Sequence, residues 1–409
     1  MRRGKAINRL LDFYLGIPLL NLFASVRARG LEPEQPERIG LLFNPALGDT
    51  LLASAAIQEI RDVFPTAKLI LFATNTNSAA ARLLPEVDAI ELLPLANPLR
   101  SVKAMRRCRL DLMLDFSAWQ RITALYTLLS GAQYTIGFKR SHQYRHRGYD
   151  KAVCHRGDCH ELENLRRFTR SLGSRTQHPP RLLIPDGPVP KAIPVGRKTI
   201  AFHAWASGTR SCLREWPEDR WVALARKLSS PDRVFLLTGS PADEARCDAL
   251  LGEFVGLGIP ARVLIGRDGL EEIARALTRA EMLVSVNTGI MHLGAVLGVP
   301  TVAINGPTAV HRWGPVGPRV ANVCPPDGSG GFLDLGFEYR GHTASVMNKI
   351  SVADVLVAID GLQGNPRSSD LAVRQPARRE PLATRVAMAY ERQDRVAHLQ
   401  LGEKPAELL

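Results

Sequence analysis

The chain has 409 residues, enough for two or three domains that each bury a core. Hydrophobic residues make up 45% and charged residues 23%, the profile of a soluble globular protein. An excess of 53 Lys+Arg over 40 Asp+Glu gives +13 and points to an anionic partner. With 6% aromatics there are few stacking platforms, and no nucleic-acid-binding signature occurs, which removes nucleic acid from the expected partners.

The N-terminus, MRRGKAINRLLDFYLGIPLLNLFASVRARG, sets a short apolar segment between Arg2, Arg3, Lys5 and Arg9 on one side and Arg27 and Arg29 on the other. A secretory signal would show a small-residue cleavage site and no trailing basic residues. A spanning helix needs about 20 apolar residues, whereas this run contains Asp12, Pro18 and Asn21. Residues 1–30 are therefore expected to form a helix lying on an anionic membrane surface, the alternative being a helix packed on the protein itself.

From Arg38 short apolar runs alternate with helical periods. IGLLFN reads as a strand, LLASAAIQEIRDVF as a helix closed by Pro65, and KLILFAT, AIELLP and LDLMLDF as further strands. ITALYTLLSG reads as a helix with Gly131 as C-cap. Continuous apolar strands separated by helices indicate a parallel sheet covered on both faces. The proline-rich stretch 178–198 cannot continue either pattern, and residues 181–198 are taken as a linker between a first domain at 38–180 and a second at 199–362.

In the second domain TIAFHAW, RVFLLTG, ARVLIG, EMLVSVN and TVAING read as strands. They alternate with helices after WPEDRW and over DEARCDALL, LEEIARALTRA and TGIMHLGAVLG. A final helix, SVADVLVAIDGL, opens on Ser351 and Asp354 in capping-box spacing. The fold class is α/β, with two Rossmann-like doubly wound domains facing a cleft. Residues 363–409, rich in Arg, Pro, Gln and Ser, lose the pattern and are expected to be a disordered tail.

Six cysteines in a chain of this length do not make a disulfide framework. The segment CHRGDCH carries Cys154, His155, Cys159 and His160, but no second cluster follows at finger or ribbon spacing, and no metal is expected.

Four stretches put reactive groups where strands give way to helices, at the same end of the two sheets. In SVNTGIMHL, Asn287 is the expected N-cap, and Thr288 and Gly289 would present free N–H groups at the positive end of a helix. That arrangement suits a diphosphate, with His292 one turn in; a capped helix with a half-buried histidine fits equally. In FNPALGDTLLAS, Asp49 is either an N-cap or a general base facing the cleft. In HAWASGTRSCLREWPEDRW, Ser207, Thr209 and Arg214 lie on a cationic loop able to clamp a pyrophosphate. After the next strand, Asp243 or Glu244 at a helix start is a candidate acceptor for ribose hydroxyls, and Asp268 is counted with the donor-binding residues. In GFKRSHQYRHRGY, the residues Lys139, Arg140, Arg145 and Arg147 read either as an acceptor-binding patch or as a solvated basic loop.

The segments ALGDTLLASAAIQEIRDVFPTAKL, REWPEDRWVALARKL and VNTGIMHLGAVLGVPTVAINGPT together resemble glycosyltransferase family nine, the bacterial heptosyltransferases of lipopolysaccharide core, over roughly residues 38–362. The resemblance implies a GT-B architecture and an inverting, metal-independent transfer from a nucleotide sugar, usually ADP-heptose, with no cofactor. It puts Asp49 on the catalytic base, Arg214 on a phosphate-binding lysine, Asp243 or Glu244 on a ribose-binding acid, and Thr288, Gly289 and His292 on the diphosphate loop. Asn287 stands where the family has aspartate, and Arg214 where it has lysine. The implied setting is the cytoplasmic face of the inner membrane, with an anionic lipid-linked glycan as acceptor. A non-catalytic nucleotide-sugar-binding protein and a nucleotide-sugar epimerase on the same architecture are the alternatives.

Overall fold

The structure, a computed structural model, describes residues 12–43, 46–141, 143–208, 210–334 and 344–364. Arg2, Arg3, Lys5, Arg9, Thr209 and the expected tail beyond Gly364 lie outside the described residues.

The first domain runs β1 (Arg38–Leu42), α2 (Leu47–Val63), β2 (Lys68–Ala73), α3 (Ser78–Ala81), β3 (Ala89–Leu92), α4 (Pro98–Arg107), β4 (Leu112–Asp115), α5 (Arg121–Leu129), β5 (Tyr134–Lys139), β6 (Lys151–Cys154) and α6 (Glu161–Ser171), after an N-terminal helix α1 (Gly16–Val26). The second runs β7 (Lys198–His203), α7 (Glu218–Leu228), β8 (Arg233–Gly239), α8 (Glu244–Gly256), β9 (Ala261–Ile265), α9 (Leu270–Leu277), β10 (Met282–Val286), α10 (Gly289–Val296), β11 (Thr301–Ile304), α11 (Val310–Trp313), β12 (Val320–Val323) and α12 (Val352–Gly364).

Each domain holds one six-stranded sheet, ordered β3-β2-β1-β4-β5-β6 and β12-β11-β10-β7-β8-β9. The adjacent strands pair in parallel throughout. Both sheets reverse direction of winding beside their first strand, and ligands of such sheets bind at that switch point, outside the carboxyl ends of the strands. Strands β5, β6 and β12 and helices α3, α4, α6 and α11 were not legible as separate elements. β6 is four residues of KAVC with only Val153 buried, too short and too exposed to show a period.

One core of the first domain lies around Phe43, Phe116, Phe138 and Phe168, and one of the second around Phe202, Trp216, Trp221 and Phe235. A third joins them: Leu51, Ala80 and Leu83 of the first domain pack with Leu270, Ile273, Leu283 and Leu293 of the second. The proline-rich stretch follows this seam without helix or strand, and Leu183 N–H donates to Leu83 O at 2.8 Å.

Several helix ends differ from expectation. α2 starts at Leu47, four residues early, because the Asp49 carboxylate closes the first turn on the Ala46 N–H. Gly131, expected as C-cap, follows the cap Ser130 at φ +79°, the left-handed conformation in which glycine carries no Cβ penalty. α12 runs to Gly364, two residues into the expected tail, and its Ser351–Asp354 box forms, with Ser351 N–H to Asp354 Oδ2 at 2.7 Å and Asp354 N–H to Ser351 Oγ at 3.2 Å.

Helix α1 packs on the first domain. Leu20 is fully buried with Ala124, Leu128 and Tyr149, and Gly16 lies so close to Arg121 that a Cβ there would stand 2.9 Å from the arginine Cβ. Asp12 accepts from the N–H groups of Arg121 (2.9 Å) and Ile122 (3.1 Å), capping α5 from a distant part of the chain. Arg27 pairs with Asp150 at 2.9 Å. The opposite face exposes Leu15, Leu19, Leu22 and Val26, spaced as one stripe of a helix. No helix among the described residues is long and apolar enough to cross a membrane.

Candidate active site between the two domains

The N-termini of α2, α6 and α10 converge on the seam below the two switch points. At the first, Asp49 occupies the third helical position, and its Oδ2 accepts from Ala46 N–H at 3.0 Å. The Ala46 methyl cannot reciprocate, so the bond runs one way, from the Ala46 N–H to the Asp49 carboxylate. The carboxylate is half-buried at the positive end of a 17-residue helix, which favours its charge.

At the third, the N-cap is Thr288, in extended conformation, and not Asn287 as expected. The Asn287 carboxamide is turned away: its Nδ2 donates to Asn305 Oδ1 at 2.7 Å and to Trp313 O at 3.1 Å. Asn305 in turn donates to Ala303 O and to Asn322 Oδ1. Asn287 is thus the head of an amide chain crossing the ends of β10, β11 and β12, and it does not cap α10.

Thr288 Oγ1 and His292 Nδ1 are buried with no hydrogen-bond partner among the described residues. Burial, with His160 beside it, pushes the His292 imidazole down to about 3, so it is neutral at physiological pH and keeps one N–H to donate. The ring lies against Gly48, where a Cβ would meet His292 Cδ2 at 2.5 Å. Gly289 is crowded reciprocally: a Cβ there would stand 2.4 Å from Leu47 Cδ2. Both glycines are required by close approach of the two helices and not by backbone conformation.

The remaining second-domain candidates line the carboxyl ends of β7, β8 and β9. Ser207 is exposed, and its carbonyl accepts from Arg214 Nη2. The Arg214 Nε is buried without a partner among the described residues. Asp243 accepts from Ser240 N–H (3.0 Å) and Ser240 Oγ (2.5 Å), an N-terminal cap on the short turn before α8. Glu244 pairs with Arg267, and Asp268 is exposed after β9. His203, at the end of β7, is bonded through Nδ1 to Thr238 and is pushed down to about 4 by burial.

The four basic residues of the first domain do not form one patch. Arg145 is wholly buried and its guanidinium is committed to Asp115 (2.7 Å), Tyr149 Oη (2.8 Å), Thr123 Oγ1 (3.0 Å) and the carbonyls of Gln120 and Ser117. Its expected role toward an acceptor is corrected on that ground: no face of it reaches solvent. Arg140 lies over the Trp119 ring at 3.5 Å and 3.7 Å from Asp334. Arg147 bonds Asn21 of α1 and stacks near Tyr144, and Lys139 is exposed.

The CHRGDCH segment is spread along β6, a turn and the start of α6. His155 Nε2 pairs with Glu161 at 3.0 Å, and His160 caps α6 through Nδ1, accepting from Leu162 N–H at 3.2 Å. Its Nε2 donates across the seam to Gly314 O at 3.0 Å. Among the described residues no group of three or more His, Cys, Asp or Glu side chains is arranged to hold a metal. His160, Glu161 and Arg312 were not singled out as seam residues. They are distant in sequence, and only the packing of the two sheets brings them together.

A match to glycosyltransferase family 9 (heptosyltransferase) spans residues 99–329. Lipopolysaccharide heptosyltransferase 1 of Salmonella typhimurium is 34% identical over 115 residues, 28% of this chain and 35% of that protein. Lipooligosaccharide heptosyltransferase 2 of Campylobacter jejuni is 22% identical over 274 residues, 66% of this chain and 81% of that protein. The chain spans about a third of the length of the first of these relatives. Its structure superposes on a glycosyl transferase family 9 protein from Veillonella parvula with a TM-score of 0.66 at 17% identity, covering 82% of this chain and 99% of that one. The E. coli heptosyltransferase WaaC with ADP gives 0.63 at 20% identity, covering 80% and 99%. These likenesses establish the GT-B arrangement of the two Rossmann-like domains. With the family match covering more than half of its residues, the chain belongs to glycosyltransferase family 9.

Proposed function

We propose that the protein transfers a sugar from a nucleotide diphosphate donor to a hydroxyl of an anionic, lipid-linked glycan, inverting the anomeric centre without a metal. Heptose from ADP-heptose, onto lipopolysaccharide core or a related glycan, is the donor and acceptor pair to which the relatives point. E. coli WaaC has been solved with ADP and with ADP-2-deoxy-2-fluoro heptose.

The observation that carries the reading is the pair of buried, unpartnered groups at the start of α10, Thr288 Oγ1 and His292 Nδ1. An orphaned buried polar atom costs about 1–3 kcal/mol, and a diphosphate oxygen would relieve both. Around it the helix N-terminus and Arg214 supply positive charge, where negative charge grows on the leaving group. The neutral His292 donates a hydrogen bond without an additional charge to desolvate.

In the proposed step Asp49 accepts the proton of the acceptor hydroxyl. That oxygen bonds to the anomeric carbon, and the bond from carbon to diphosphate oxygen breaks with its electron pair going to the nucleoside diphosphate. Ser207 and Asp268 lie on the donor-side loops and Asp243 and Glu244 at the start of α8, with Thr209 kept from the sequence as a donor-side candidate. Asp243 is tied to Ser240 and Glu244 to Arg267, so the exposed Asp268 is an additional acceptor for the ribose. Lys139 and Arg147 face the acceptor's phosphates. The stripe Leu15, Leu19, Leu22 and Val26 on α1 meets the anionic surface of the inner membrane from the cytoplasmic side, which is where such an acceptor is held.

The test is direct. Purified protein is offered ADP-heptose, UDP-, GDP- and CMP-linked sugars with and without a lipopolysaccharide-core acceptor and EDTA. Release of ADP that depends on the acceptor and persists in EDTA is the expected result. Donor binding with no acceptor-dependent release would overturn it in favour of a nucleotide-sugar-binding protein.

A further inference from the structure

The CHRGDCH segment has no part in the chemistry above, yet it holds the most heavily bonded buried charge at the seam. Arg312 of the second domain is wholly buried. Its Nε donates to Asp334 Oδ1 of its own domain at 2.7 Å. The other two nitrogens cross to the first domain: Nη2 to Glu161 Oε2 at 3.1 Å, and Nη1 to the carbonyl oxygens of Arg156 (3.0 Å) and Cys159 (2.6 Å). Asp334 completes the exchange, lying 3.7 Å from Arg140 of the first domain. A cation from each domain therefore meets a carboxylate of the other, and His160 adds its bond to Gly314 alongside.

We infer that Arg312, Glu161, Asp334 and Arg140 form a latch that sets how the two domains face one another, with Arg312 and Glu161 as positioning residues for the transfer. Glu161 is the first residue of α6, which packs on α2, the helix carrying Asp49. Arg312 lies in α11, whose last residue Trp313 holds the Asn287 carboxamide next to Thr288. The latch thus ties the backbone beside the proposed base to the backbone beside the proposed diphosphate site. Its energetics suit a reversible device. Desolvation of buried charges offsets most of their attraction, so the cluster specifies one geometry with little net stabilisation, and when the domains part Arg312 regains water while Glu161 keeps His155 and Asn164.

The inference rests on the transferase reading for its effect on rate, but not for its effect on shape. Arg312→Met and Glu161→Gln are compared with the parent by small-angle scattering, urea unfolding and donor-saturation kinetics. Glu161→Gln keeps the side chain's size, and if Arg312→Met does not fold it carries the test alone. The expected result is a folded protein with a larger radius of gyration and a turnover lowered by about 10²-fold through misplacement of Asp49. Donor KM should stay within a few-fold, because the donor loops lie in one domain, and Arg312→Lys should recover part of the compactness. Folded variants with the parent's radius of gyration would overturn the latch, whether or not transfer is ever detected. Expanded variants with unchanged turnover would overturn the positioning role.

Discussion

His292 of α10 lies directly on Gly48 of α2, across the boundary between the domains, with 2.5 Å from its Cδ2 to the place a Cβ would take. Leu47 covers Gly289 in the same way from the opposite side. The residues flanking the proposed base and those forming the proposed diphosphate loop are therefore fitted to one another, each glycine admitting its neighbour's side chain.

Gly48→Ala follows from that contact. Inside a helix alanine is favoured over glycine by about 0.5–1 kcal/mol, so the first domain alone should be no less stable. The added methyl must instead displace His292 or part the domains. The expected result is an unfolding midpoint lowered by the strain of overpacking, about 1–3 kcal/mol less the alanine preference, with a clear loss of turnover. Parental turnover in this variant would mean that the contact has no functional weight.

Asn287→Asp restores the residue implied by the family resemblance, and the structure gives a reason for it to be harmful. Both Asn287 donors point at oxygens, Asn305 Oδ1 and Trp313 O. Asn305 cannot simply turn over, since its own Nδ2 serves Ala303 O and Asn322 Oδ1. A carboxylate would oppose two acceptors and cost about 1–3 kcal/mol. Urea unfolding should show that loss, together with weaker donor binding.

Arg145→Met tests the correction made for the basic stretch. Removing one member of a buried pair leaves the other charge uncompensated and typically costs about 3–5 kcal/mol. Here the stranded group is Asp115, itself fully buried at the switch point of the first sheet. The expected phenotype is a large fall in stability, read by denaturant unfolding. A stable variant that had lost only acceptor affinity would restore Arg145 to the acceptor patch.

The alternation of apolar strands with helical periods made both sheets legible, because strands such as RIGLL and MLVSV are buried almost throughout and carry no competing pattern. The strand–helix junctions followed for the same reason: Asp49, Thr288 and His292 lie within the first turns after the ends of β1 at Leu42 and β10 at Val286. Arg145 was misread because local sequence gives its charge and not its burial; the partner Asp115 is 30 residues away and one strand over. Asn287 was misread as a cap because asparagine favours that position, whereas Trp313, 26 residues on, supplies the stronger claim. His160 and Arg312 needed knowledge of how the domains face one another.

The stripe on α1 gives a prediction free of folding complications. Leu19 and Leu22 are exposed by 37% and 59%, so Leu19→Gln with Leu22→Gln should leave the unfolding midpoint unchanged. If the stripe enters an anionic leaflet, each leucine contributes about 1.5–3 kcal/mol on full burial, and co-flotation with phosphatidylglycerol vesicles should drop by well over tenfold. Undiminished flotation of the double variant would place membrane contact elsewhere.

Asp49 carries the chemistry proposed here and also a visible structural task, closing the first turn of α2 on Ala46 N–H at 3.0 Å. Asp49→Asn separates the two. Asparagine retains an amide oxygen to accept that bond and loses only the carboxylate's attraction to the helix N-terminus, about 0.3–1 kcal/mol, so stability should fall little. It cannot take a proton from a hydroxyl, and loss of a general base typically lowers the rate by about 10²–10⁴-fold. Donor affinity should remain close to the parent's, because Arg214, Thr288 and His292 all belong to the second domain. A folded variant that binds donor and has nearly ceased to turn over is the expected outcome, measured by calorimetric titration alongside acceptor-dependent ADP release. Turnover within a few-fold of the parent would reduce Asp49 to a helix cap and require the base to be sought among the other groups at the seam.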